Sequence, residues 1–130
     1  MIAADRIEEA AYGVMFRAGI EIPADYENGL RELAKSEEGD LSAFVIEAML
    51  ENYDAARQDR RAMCADTGVP RYFVKVGNEA RIEGGFIELE RRLRLATARA
   101  THDIPLRPNR VHPLSRRDNN NNVGLNAPEV

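Results

Sequence analysis

The sequence holds a single cysteine, Cys64, in 130 residues. One thiol excludes an internal disulfide framework and any metal site built from several cysteines of these residues alone. No apolar run approaches the ~18 residues that a membrane-spanning helix needs. The opening MIAADRIEEAAYG is acidic early and has neither the basic region nor the apolar stretch of a secretory signal, so the expected setting is the cytoplasm. Internal repeats are missing. The one low-complexity segment, Asn119–Asn122, reads as a loop. At this length one domain with one core is expected, and two ordinary ones are excluded.

Charge is plentiful but uneven. The net charge is −4, yet residues 1–58 carry 13 acids and 5 bases while residues 59–130 carry 9 acids and 13 bases. All but one of those later bases are arginines. Arginine favours planar, bidentate recognition of anions over a generic lysine-rich nucleic-acid surface. The acidic balance argues against strong DNA binding and leaves room for a local anion site.

Helical periodicity dominates the first half. Ile7, Ala10, Ala11, Val14, Met15 and Ala18 fall on one face, and Gly19 is a stop. Ile22-Pro23 opens a second helix, with Pro23 suited to its first turn. Tyr26, Leu30, Leu33 and Ala34 are its expected inner face. Gly39-Asp40 ends that segment, and Asp40 is a candidate cap for the next. There Leu41, Phe44, Val45, Ala48 and Met49 keep the helical spacing, and the polar residues from Asn52 to Asp59 read as a solvated extension.

The pattern changes at Met63. MCADTGVP is turn-forming. Arg71–Val76 alternates β-branched or aromatic residues with others, which predicts a strand closed by the Gly77-Asn78 turn. Gly84-Gly85 precedes a last helix with Phe86, Leu89, Leu93, Ala96, Thr97 and Ala100 on one face. Arg91, Arg92, Arg94 and Arg99 lie on its other face, expected to be solvated. From Ile104, prolines and the Asn run predict irregular chain, and the final GLNAPEV reads as the start of another strand. The whole is expected to be α+β: a helical N-terminal half followed by a small sheet with a packed helix. Residues 1–62 form a helical lead-in, and residues 63–130 hold a site loop, strand, helix and extended segment.

Few residues offer chemistry. A lone cysteine is ordinarily a small buried hydrophobe. Cys64, however, sits in a turn between a helix and a strand, where sites tend to be placed. A thiolate there could act as nucleophile or metal ligand. Cys64, His102 and His112 match no compact zinc spacing, and the histidines read as ordinary loop residues. Arg107 stands between Pro105 and Pro108, which stiffen the backbone around it. Such an arginine loses less freedom on clamping a carboxylate or phosphate. A surface arginine in a Pro-rich turn fits the composition equally well.

The stretch MCADTGVPRYFVKVG, then a helix, then THDIPLRPNRVHPLSRRDNNNNVGLNAPEV resembles the alpha-type catalytic domain of iron–sulfur hydro-lyases, the class I fumarases and L-tartrate dehydratases. Three landmarks in order carry the likeness: C-x-D-T-G before V-K-V-G, then P-L-R, then an Asn/Gly-rich stretch closing on a proline. Residues 41–130 hold it, with residues 1–40 as lead-in. The resemblance implies a [4Fe–4S] cluster held by three cysteines, one iron being left open to substrate. Cys64 then matches the first cluster ligand. Asp66 matches an aspartate at the substrate, a proton donor or acceptor. Arg107 matches the arginine that holds a substrate carboxylate. Ala65 departs from relatives that carry Gln or another polar residue there, which bears on substrate identity. The P-L-R-P-N-x-V form leans toward two-subunit, fumarase-like enzymes.

The physics of such a site is coherent. An open iron is a Lewis acid toward a leaving hydroxyl. A carboxylate moves the proton, and arginine receives a dicarboxylate. Two further cysteines are absent from these residues. The resemblance therefore implies the N-terminal part of an alpha subunit, cut at Val130, inactive by itself and completed by a beta-type subunit or domain in a homo- or hetero-oligomer. The expected reaction is reversible hydration of fumarate to malate, a step of the tricarboxylic acid cycle, with L-tartrate dehydration as the alternative. A non-catalytic paralogue that keeps the scaffold for subunit contact is a further alternative. An unrelated helical interaction module would leave the turn–strand–helix order after Met63 unexplained. No nucleic-acid or membrane partner is expected.

Overall fold

A computed structural model describes residues 1–64 and 69–130. Among them the helices are α1 (Ala4–Ile20), α2 (Ala24–Ser36), α3 (Asp40–Asp59) and α4 (Gly85–Asp103). α1 and α4 form the core. Ala11 of α1 packs with Leu89, Leu93 and Ala96 of α4, flanked by Ile7, Tyr12, Tyr72 and Ile82. A second cluster joins Ile20 to Ala100, Ile104 and Leu106, with Met15, Phe16 and Ala62 against it. Small residues let the two helices approach: Ala96 and Ala100 are fully buried. The α4 face read from its periodicity is thus the observed one, except that Phe86 is 67% exposed.

The ends of both core helices are set locally. The Glu83 carboxylate accepts a hydrogen bond from the Ala4 amide at 3.1 Å, placing negative charge at the positive end of α1. Ile2 bonds through its main chain to Arg81 and Glu83, which ties the start of α1 to the lead-in of α4. Gly84 has a φ of 75°, and a Cβ there would lie 2.6 Å from the Glu88 Cβ. Only glycine fits that approach.

The arginine stripe on α4 is not simply a solvated face. Arg92 bonds to Glu88 on its own helix and reaches Asp5 and Glu8 of α1 at 2.5 and 2.9 Å. Arg99 pairs with Glu9 at 2.6 Å and lies 3.9 Å over the Tyr12 ring. Arg94 donates to the carbonyls of Gly124 and Ala127. These long side chains bridge elements while keeping their charge near water. The missed signal was the acid set Asp5, Glu8 and Glu9 on α1.

α2 and α3 pack on each other, and α3 touches α1. Their apolar spacing is helical as expected, but much of it faces out. Tyr26 is 70% exposed, Leu41 76% and Phe44 67%. The first residue of α3 is Asp40, and Gly39 holds the cap position without a side-chain bond.

The expected small sheet is a correction. No strand forms among the described residues, which are helical and irregular, so the fold is all-α. Arg71, at the head of the predicted strand Arg71–Val76, makes an isolated parallel bridge with Glu129, through the Tyr72 amide and the Glu129 carbonyl at 2.8 Å. Alternation encodes a two-faced chain, whereas a ladder also needs a second strand alongside. The final GLNAPEV supplies that bridge and no strand. No helix among the described residues is long and apolar enough to cross a membrane.

Candidate functional site at the Cys64 cleft

The chain reaches Cys64 through a braced residue. The Met63 amide donates to the Gly19 carbonyl at 3.0 Å, and its own carbonyl accepts from Asn52 Nδ2 at 2.7 Å. The end of α1 and the middle of α3 thereby fix where Cys64 starts. Asn52 looked like one more polar residue on a solvated helix. Its role comes from tertiary placement and had no local signal.

Cys64 is exposed and lines a cavity of about 260 Å³ with Met15, Gly19, Arg71, Tyr72, Leu106 and Asn122 among its walls. That volume is below the roughly 300–1,000 Å³ of sites for drug-sized ligands and suits a small acid. The Tyr72 hydroxyl lies 3.1 Å from Thr97 Oγ1 and 3.5 Å from Met15 Sδ, so it pins one wall. Burial pushes its pKa above the ordinary tyrosine value, and the Thr97 bond acts the other way. It stays a neutral phenol. Arg71 is occupied by Glu129, with Nε at 2.6 Å from the carboxylate.

Arg107 follows the wall residue Leu106. Its side chain is exposed and no acidic partner engages it among the described residues. The backbone is held more firmly: the Leu106 amide donates to Thr101 O at 2.9 Å, and Asn122 Nδ2 donates to the Arg107 carbonyl at 3.2 Å. Leu106 and Asn122 line the cleft with Cys64, while the Arg107 side chain lies outside its walls, one residue on from Leu106. Asp66, the expected proton-transfer residue, lies outside the described residues, as does Ala65. His102 is exposed beside Asp103. His112 Nδ1 accepts from the Leu114 and Ser115 amides in a turn. Among the described residues no group of three or more His, Cys, Asp or Glu is placed to share a metal. Asn122, buried within a run that reads as a plain loop, went unremarked in the sequence.

Comparison of the sequence with known proteins gives the family. The family model for fumarate hydratase (fumerase) matches residues 8–130. A Methanocaldococcus jannaschii protein provisionally named L(+)-tartrate dehydratase subunit alpha is 34% identical over 125 residues, covering 96% of this chain and 44% of that protein. The L(+)-tartrate dehydratase subunit alpha of Escherichia coli K12 is 28% identical over 98% of this chain and 41% of its own length. A Geobacillus stearothermophilus protein, provisionally named fumarate hydratase class I, is 26% identical over 97% of this chain and 24% of its own length. The chain's relatives are thus hydro-lyases by name. The chain belongs to the fumarate hydratase (fumerase) family. It spans less than half the length of these relatives.

The cleft also tests the cofactor that the resemblance implies. A four-iron cluster is held by several thiolates. These residues contain one, Cys64. An exposed thiol at the mouth of a cavity suits a single ligand, but the donor set here does not fit a cluster held by this chain alone.

Proposed function

We propose that the chain forms part of a hydro-lyase site that reversibly adds or removes water on a dicarboxylate, fumarate and malate first. The observation that supports this reading is one small cleft lined by Cys64, Leu106 and Asn122, with Asn122 bonded to the backbone of Arg107 and Asn109. Cys64 is one ligand of an iron–sulfur cluster whose other ligands come from outside these residues. A beta-type partner completes the substrate site.

The roles of the chain's own residues follow from their chemistry. The Arg107 guanidinium receives one substrate carboxylate through two parallel N–H donors. Its braced backbone lowers the entropy lost on binding. The Asp66 carboxylate takes or returns the proton on the substrate carbon adjacent to the one that bears the leaving hydroxyl. Tyr72, Met15 and Leu106 give the cleft an apolar wall, which strengthens the charged contacts inside it. By itself the 130-residue chain is expected to be inactive.

The similarity to the tartrate dehydratase alpha subunits, with Ala65 in place of a polar residue, favours L-tartrate as the second substrate reading. Anaerobic assay of the enzyme assembled with this chain separates the two. A kcat/KM for L-malate well above that for L-tartrate supports the fumarase reading, and the reverse ranking supports the other. Asp66→Asn should collapse kcat in either case. Absence of any dehydration, or full activity in Asp66→Asn, contradicts the proposal.

A further inference from the structure

We propose that Asn122 is a positioning residue that presents Arg107 to a substrate carboxylate. This deepens the function proposed above and rests on it.

Asn122 is 1% exposed, and its amide is spent at both ends. Nδ2 donates to the Arg107 carbonyl and to Thr101 Oγ1, each at 3.2 Å. Oδ1 accepts from the Asn109 amide at 2.7 Å. One side chain therefore clamps the carbonyl before Pro108 and the N–H after it. Pro108 has no N–H of its own and a φ fixed by its ring. The segment Arg107–Pro108–Asn109 is held by the ring within it and the amide across it.

The clamp is itself anchored. Thr101 is 3% exposed and its hydroxyl also bonds to the Thr97 carbonyl at 2.8 Å, inside the α4 core. Asn122 has a φ of 57°, a left-handed conformation that asparagine tolerates better than most residues. A line of bonds thus runs from the buried face of α4 through Asn122 to the backbone of Arg107. Asn122 also lines the cavity that Cys64 lines. Asn122 thus holds both ends of a turn whose Arg107 side chain is exposed and pairs with no acid among the described residues.

The test is a double-mutant cycle on L-malate turnover in the enzyme assembled with this chain. Arg107→Ala should raise KM about 100-fold, and Asn122→Ala about tenfold with kcat within about twofold. The double variant should match Arg107→Ala, because Asn122 acts through that side chain. Multiplied effects would mean a general structural role and would overturn the inference. Thr101→Val removes one bond of the clamp with little change of shape. It should raise KM about threefold, and it decides the matter if Asn122→Ala does not fold.

A second readout needs no turnover. In the 130-residue chain, Asn122→Ala should speed hydrogen exchange of the Asn109 amide at least about tenfold while Ala96 and Ala100 keep their protection. Unchanged Asn109 exchange overturns the clamp. The two levels separate cleanly. If Arg107→Ala leaves KM unchanged, the role given to Arg107 falls and the positioning role with it. If Arg107→Ala raises KM and Asn122→Ala does not, only the inference about Asn122 falls.

Discussion

The α1–α4 pair and the α2–α3 pair are both two-helix units, but they are held by different forces. Between α1 and α4 the contact is a closed apolar seam, with Ala96 and Ala100 fully buried and arginines bridging its rim. Between α2 and α3 the prominent links are ion pairs near the surface, Glu27 with Arg57 at 2.8 Å and Arg31 with Asp54 at 3.5 Å. α2 contributes no buried residue at all. Apolar burial carries the stability of a domain, whereas exposed ion pairs contribute little. The candidate site hangs from the first pair: Gly19 in the last turn of α1 and Thr101 in the last turn of α4 bond to the chain around Cys64 and Arg107. The rigid pair is the scaffold of the site, and α2–α3 reaches it through Asn52.

This contrast can be broken by substitution. The largest effect is expected at Leu93, 3% exposed in the seam. Leu93→Ala should cost about 2–5 kcal/mol in urea unfolding, from lost burial plus the cavity left behind. A loss no larger than at an exposed site would mean that the seam is not the core. Tyr72→Phe comes next. It removes the bond to Thr97 and should cost about 0.5–1.5 kcal/mol, with secondary structure by circular dichroism unchanged.

A pH effect follows from Glu88. Hydrogen bonds from Arg91 and then Arg92 hold its carboxyl down to about 2 from an ordinary 4.5. A depressed carboxylate pKa stabilises the fold above the unfolded-state value and loses that contribution as the pH falls through the folded one. The urea midpoint should therefore be insensitive to Glu88 protonation at neutral pH and drop between pH 4.5 and about 2. Glu88→Gln should flatten that acid limb. An identical pH profile in the variant would remove Glu88 from the account. The smallest effect belongs to α3: Phe44→Ser, at a site 67% exposed, should change stability by no more than about 0.5 kcal/mol.

How much of this was legible in the sequence varies by the range of the interaction. The buried face of α4 could be read because Leu89, Leu93, Ala96, Thr97 and Ala100 repeat at the helical period, and Gly84 marks its start. Periodicity does not say how much of an apolar face finds a partner, so Leu41 and Phe44 were indistinguishable from Leu89. Arg71–Val76 has the alternation of a strand, but pairing depends on residues far along the chain, and Glu129 supplies one bridge. The arginine stripe misled for the same reason, since its partners stand on α1, 84 to 90 residues away. Cys64 and Arg107 stand out as candidates through short motifs with chemistry in them. Asn52 and Asn122, which place them, do not. An asparagine that holds a loop has the same local sequence as one that faces water, and only the fold separates them.

The central claim is that the Cys64 cleft belongs to a hydro-lyase. Its most direct test is anaerobic formation of fumarate from L-malate by the enzyme assembled with this chain, wild type against Cys64→Ser. The account predicts turnover in the wild type and a fall to background in the variant, with the folded state intact by circular dichroism. Wild-type turnover in Cys64→Ser would contradict it.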